Sequence, residues 1–274
     1  MQDEQKLRYY LKNISYYHLS IYFKYFQNDD LFYKGVTFED VLRIYVFDNK
    51  LRILLSDLLE RVEKSLKCRM TYELSLEKMN SHWHLDADMF VNQSEFENIT
   101  SMLSEEYAKS KELSLRHYRE EYSGPQLPPM WMLVEILSFG QCVKICKALT
   151  REYKNKIART YGDDEQFVLS WMHGLSVLRN NCAHHARLWN RDLVFQPKIN
   201  HKIYASCFVP ETRRLYNYLV VLQVLLREVN PTSSWLDRLD ELIREHSINV
   251  RHMGFPDDWK QRLESIMSQG NPII

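Results

Sequence analysis

Glycine and proline are scarce in this chain, at 7 and 8 residues of 274, where average usage is about 7% and about 5%. A fold built on many tight turns is thereby disfavoured, and a mostly helical one expected. Charge of one sign is also missing: 36 basic side chains stand against 36 acidic ones. No global field draws the chain to nucleic acid or to an anionic membrane, so any such role must rest on a local patch. The five cysteines are odd in number and lack CxxC spacing, which argues for reduced thiols rather than a disulfide framework or a zinc ribbon. Long apolar runs are absent too. The most apolar late stretch, LVVLQVLL at 219–226, falls far short of the ~20 residues that span a bilayer, and the polar start MQDEQKLRYY lacks the layout of a signal peptide. A cytoplasmic protein with no membrane partner is expected.

What remains is rich in helical periodicity, over a hydrophobic content of 45% that can build a sizeable core. Leu7, Tyr10, Leu11, Ile14, Tyr17 and Ile21 fall on one helical face. After a loop at DDLFYKG, the stretch TFED at 37–40 is a variant of the capping box, and the periodic run behind it continues to Leu74 without Pro or Gly. Glu60–Lys64 and Glu63–Lys67 have the i,i+4 spacing of helix ion pairs. Further helices are expected over 94–121, 130–149 as an apolar central helix, 164–186, 211–229 and 234–247, with a last short one after MGFPDDW. Residues 193–204 read as an extended segment or short hairpin, and SGPQLPP at 123–129 as a subdomain break or mobile loop. The fold class is all-α, and 1–274 reads as a single domain.

The densest chemistry lies in LRNNCAHHARLWNR, residues 178–191. Five residues separate Arg179 from His184, so on a regular helix they point about 140° apart; either the helix breaks or two copies share their faces. Asn180 and His184 share a face, where the amide can select the tautomer of the imidazole. Three readings stay open on these residues alone. A metal site has adjacent histidines pointing apart and no nearby carboxylate pattern to complete it. A polar helix end would satisfy its cations with carbonyls and ion pairs. Acid–base chemistry on a phosphodiester would use histidine to move protons at neutral pH and arginine to fork phosphate oxygens. From 173 to 204 there are five cations, Arg179, Arg187, Arg191, Lys198 and Lys202, against Asp192 alone, a local anion-binding patch. Tyr204, Trp189 and Phe195 are candidate stacking surfaces for bases, although a tryptophan belongs more often to the core. Cys182 reads as a small buried residue rather than a nucleophile.

RNNCAHH resembles the R-N-x-x-x-H motif of HEPN ribonucleases, and SWMHGLSVLRNNCAHHARLWNR resembles the signature of the Abi-like family, AbiD and AbiF type, of bacterial abortive-infection proteins. The resemblance extends to ISYYHLSIYF, to the block YVFDNKLRILLSDLLERVEKSLKCRMTYEL, to WMLVEILSFGQ and to MGFPDDW. Family members usually carry a further segment before the YYHLS block, whereas fifteen residues precede Tyr16 here.

The resemblance implies an all-α HEPN-like helical bundle with additional helices, paired as a homodimer so that two motifs form one composite cleft, and RNA cleavage without metal or other cofactor, leaving a cyclic phosphate. Carried onto this chain, His184 is the general acid or base, Arg179 the phosphate clamp and Asn180 the residue that orients His184. His185, Arg187, Asn190 and Arg191 match the family's extension of the motif and are candidate RNA-binding or supporting residues, as are Lys198 and Lys202 of the basic patch. Lys64, Lys67 and Arg69 are weaker candidates for tracking an RNA backbone. Phage defence and a small structured noncoding RNA as partner are also implied. Two competing functions remain: a noncatalytic RNA-binding protein, and a structural helical interaction module.

Overall fold

The computed structural model describes residues 2–268. Twelve α-helices, four short 3-10 turns and one two-stranded hairpin make up the regular structure of that span, so the chain is all-α. Its axis is the long helix α3 (Phe38–Lys78). Thr37 starts it: the Thr37 hydroxyl accepts the Asp40 N–H, and the Asp40 carboxylate accepts the Thr37 N–H at 3.0 Å. Met79, in the left-handed region at φ 47°, ends it. Between them Leu51, Leu55, Leu58, Val62, Leu66 and Leu74 form a fully buried stripe, the periodic set the sequence displays.

Around this axis the other helices are shorter than their hydrophobic patterns imply. The N-terminal pattern divides into α1 (Gln2–Asn13) and α2 (Tyr16–Phe23), because Ser15 leaves the helical region at ψ 136°. That break turns the face, so Leu19, Tyr22 and Phe23 are buried while Tyr17 is 82% exposed. A hairpin, β1 (Gln27–Asn28) with β2 (Leu31–Phe32), replaces the expected loop; Asp29 and Asp30 both take positive φ, as two-residue hairpin turns require. After α4 (Gln93–Lys109), α5 (Leu113–Glu121) and α6 (Met130–Ile136) comes α7 (Phe139–Ala148). The apolar run at 130–149 is therefore two helices. Ser138 caps the second, its hydroxyl accepting the Gln141 N–H at 3.3 Å while Gln141 Oε1 accepts the Ser138 N–H at 2.8 Å, a capping box written in the sequence as S-F-G-Q.

The centre of the bundle is α9 (Glu165–Ala183) and α10 (Leu215–Val229), packed on α3 and on each other, with α8 (Arg151–Arg159), α11 (Trp235–Glu245) and α12 (Trp259–Ser268) around them. Every residue of α10 from Leu215 to Leu226 is buried, which accounts for LVVLQVLL as core. Among the described residues no helix is long and apolar enough to cross a membrane.

Residues 184–214 join α9 to α10 without a strand ladder. The expected hairpin at 193–204 does not form because its backbone groups find other partners. Trp171 donates its indole N–H to the Lys198 carbonyl at 2.7 Å, the Lys198 N–H donates to Ser170 Oγ at 3.0 Å, and the Tyr218 hydroxyl donates to the Phe195 carbonyl. Gly174 makes room for the segment: a Cβ there would lie 3.0 Å from Pro197 Cγ.

One buried group gives the fold a pH dependence. His84 is fully buried, with no hydrogen-bond partner at either ring nitrogen among the described residues. Burial, helped by His82, pushes its pKa down from 6.5 to about 3. The stability tied to neutral His84 is thus complete above the unfolded value. It is lost as pH falls towards the folded one, since the unfolded chain takes up a proton that the folded chain refuses. The slope is about 1.4 kcal/mol per pH unit in that window. Urea unfolding at pH 7 and pH 5 should show the wild type losing more stability than His84→Leu.

Candidate functional site

The last two turns of α9 decide where the motif faces. Leu175, Leu178 and Cys182 point into the core, which leaves Arg179 partly exposed and Asn180 and Ala183 outside. Burial pushes the Cys182 thiol up to about 12, so it stays protonated and inert. The helix ends in a Schellman turn: the Ala186 N–H donates to the Asn181 carbonyl at 2.9 Å and the His185 N–H to the Cys182 carbonyl at 3.1 Å. His185 occupies the left-handed position at φ 54°, a place where glycine is usual. His184, one residue earlier, is exposed, and its backbone N–H donates to the Asn180 carbonyl at 2.9 Å. Asn180 meets His184 through the main chain; its side-chain oxygen instead lies 3.5 Å from an Arg179 nitrogen.

The chain beyond the turn is tied down by residues distant in sequence. Asp48 is fully buried in α3 and accepts four donors: the Arg52 guanidinium at 2.5 Å, the Tyr22 hydroxyl at 2.7 Å, the Trp189 N–H at 2.8 Å and the Leu188 N–H at 3.1 Å. Arg52 also reaches the Ala186 carbonyl at 3.4 Å. Burial pushes the Asp48 carboxyl above the usual carboxylate range, and Arg52, Tyr22 and the two amides oppose it. Trp189 then enters the core at 2% exposed, edge-on to Tyr25 at 4.8 Å, and Tyr25 shares a hydrogen bond of 2.8 Å with His252. Asn190, at φ 47°, turns the chain back towards the surface.

This anchoring shapes a cleft of about 370 Å³ between α2 and the end of α9, lined by His18, Ile21 and Tyr22 on one side and by His184, His185, Ala186, Arg187 and Arg191 on the other. Three imidazoles and two guanidinium groups line it, with no carboxylate. Arg187 donates to the Ile21 carbonyl at 3.4 Å, Arg191 donates to the Arg187 carbonyl at 3.3 Å, and Arg187 Nε is buried with no partner among the described residues. Burial works against the Arg187 cation and Arg191 beside it adds to that, while Tyr22 and the buried Asp48 carboxylate oppose them.

Arg179 opens elsewhere. It lines a larger cleft of about 900 Å³ between α3, α6 and α9, with Glu63, Lys67, Tyr72 and Trp131. There its Nε is 3.4 Å from Glu63, which also pairs with Lys67 at 3.4 Å. The wide angle between Arg179 and His184 is thus realised as two separate clefts. Lys198 and Lys202 are exposed on the 193–204 segment and line neither.

Several expected contacts are not available. Tyr204 is fully buried and Trp189 nearly so, so neither can stack on a base; Phe195 is half-buried against the His173 edge at 4.6 Å. Arg69 donates to the carbonyls of Thr160 and Glu228 and covers the Tyr161 ring at 4.3 Å, which makes it an internal strut between α3, the α8 end and α10. Lys64 pairs with Glu60 at 2.5 Å. Among the described residues no group of three or more His, Cys, Asp or Glu side chains is placed to hold a metal ion.

Four residues of this region carried no sequence assignment: His18, Tyr22, Asp48 and Arg52. The only signal was membership of the ISYYHLSIYF and FDNKLR blocks. In the structure the first block walls the cleft, and the second, through Asp48, holds the loop behind it. Residues 9–190 match the model of the family described as Abi-like protein, a span that runs from α1 to the turn at Asn190. No curated protein and no solved structure matches the chain.

Proposed function

This chain belongs to the Abi-like protein family, and from that premise we propose that it is an abortive-infection protein of phage defence, a HEPN-type endoribonuclease that cuts RNA without a metal ion. The observation that carries the reading is the cleft at the end of α9, which three histidines and two arginines line with no carboxylate among its described lining residues. Such a surface suits a phosphodiester: guanidinium forks its oxygens, and imidazole moves protons near neutral pH. RNA supplies the nucleophile through its own 2′-OH. His184 transfers a proton at this site, and its backbone N–H, bonded to the Asn180 carbonyl, holds the turn that carries it.

Arg179 acts across a homodimer, in which the α9 end of one copy meets that of the other and the two motifs share one substrate. Lys198, Lys202 and the cleft arginines bind the phosphates of a small structured noncoding RNA that restrains the toxin.

A second reading is favoured by the separation of Arg179 and His184 into two clefts: a protein that grips RNA without cutting it. Purified protein should carry a discrete RNA, seen as a raised 260/280 nm absorbance ratio that falls after a high-salt wash and identified by sequencing. Protein free of RNA from the outset removes the ribonucleoprotein. Bound RNA that neither wild type nor His184→Ala cleaves moves the assignment to the noncatalytic reading.

A further inference from the structure

We infer that His18 is the second proton-transfer residue of this site, so that the imidazoles of His18 and His184 serve as acid and base within the cleft of a single protomer. The inference rests on the ribonuclease reading above and adds to it a residue outside the motif. In-line cleavage of RNA needs two proton movements, one off the 2′-OH and one onto the departing 5′ oxygen. One imidazole cannot stand on both sides of the phosphorus at once. The R-N-x-x-x-H segment brings His184 and His185 to one wall, the end of α9, and His18 comes to the opposite wall from α2.

The arginines fit the same arrangement. Arg187 lines the cleft, its Nε buried without a partner among the described residues, and Arg191 lies beside it. A phosphate held between the two walls would lie in the cleft that both guanidinium groups line, while Arg179 of the same copy faces the other cleft and is left to reach the substrate of a second copy. The groups that face His18 are Tyr22 on its own helix, the Tyr45 ring of α3, edge-on at 6.2 Å, and His184, His185, Arg187 and Arg191 across the cleft. Tyr22 donates its proton to Asp48 and is held protonated by burial and by that carboxylate. It is therefore excluded as the proton carrier, which leaves the histidines.

The step balances without a co-reactant. One imidazole takes the 2′-OH proton as O2′ bonds to phosphorus; the P–O5′ bond breaks, and the O5′ electron pair takes a proton from the other, protonated imidazole. A 2′,3′-cyclic phosphate and a 5′-OH result, with the two imidazoles left in exchanged protonation states that solvent resets.

The test compares wild type, His18→Gln and His184→Gln on a dinucleoside phosphate and on uridine 3′-(4-nitrophenyl phosphate), whose leaving group departs without a proton. His18→Asn serves as a second substitution, and unfolding midpoints establish that each variant is folded. Both glutamine variants should lose about 10²-fold or more on the dinucleotide. Only the one lacking the general acid should keep its rate on the nitrophenyl ester within about tenfold, and the two-limbed pH–rate profile of the wild type should lose a limb in each variant. Folded His18 variants within threefold of wild type on the dinucleotide would overturn the assignment, as would slower variants that keep both limbs. A wild type that cleaves neither substrate defeats the ribonuclease reading itself, a failure distinct from a His18 variant that leaves an active enzyme unchanged.

Discussion

Replacing His184 with alanine leaves the protein folded and lowers RNA cleavage by about 10²–10⁴-fold, the usual contribution of a positioned general acid or base. The two halves of that expectation come from different parts of the structure. His184 stands outside the core, and its structural bond runs from the backbone N–H to the Asn180 carbonyl, which alanine keeps. The buried side chains that hold this end of α9, Leu178 and Cys182, lie before it. Removing the imidazole therefore takes away chemistry and little packing. Initial rates on a labelled RNA, beside a thermal melt of the same preparation, separate the two. A large fall in melting temperature would assign the residue a structural role, and unchanged rates would remove it from the site.

Asp48→Ala has the opposite signature, a large loss of stability of about 3–5 kcal/mol. The carboxylate is fully buried and Arg52 is 4% exposed, so alanine strands a guanidinium away from water and leaves the Leu188 and Trp189 amides without their acceptor. Each orphaned amide alone costs about 1–3 kcal/mol, although the losses overlap and do not sum. Against the 5–15 kcal/mol total typical of a folded domain, this is a substantial share. The urea midpoint should fall at an unchanged slope. Because the same carboxylate holds the chain between Ala186 and Asn190, the folded fraction should also cleave poorly as Arg187 and Arg191 lose their placement. A variant with wild-type stability would contradict the anchoring role.

The long helix and its cap were legible because Thr37-Phe-Glu-Asp and an uninterrupted leucine period agree with each other. Helix breaks at Ser15 and Ser138 were not, since hydrophobic residues continue through both, no proline marks either, and Gly140 beside Ser138 sits inside an otherwise apolar run. At Ser138 the S-x-x-Q box was present within an apolar run that reads as one helix. The 193–204 segment has strand-like composition, and its partners are side chains of α9 and α10, which no local pattern can reveal. Arg179 and His184 were expected about 140° apart on a regular helix, and in the structure they line different clefts. His18, by contrast, reaches the motif only through the docking of α2 on α3, while Tyr204 is buried beside Trp171 and Arg69 is engaged by the carbonyls of Thr160 and Glu228.

The measurement that bears most directly on the central claim is the incubation of purified, RNA-stripped protein with a defined single-stranded RNA in the presence of excess chelator, with identification of the new ends. Cleavage that persists in chelator, yields 2′,3′-cyclic phosphate and 5′-hydroxyl ends, and disappears in His184→Ala is the predicted result. Intact RNA, 3′-hydroxyl products, or equal cleavage by His184→Ala would contradict it.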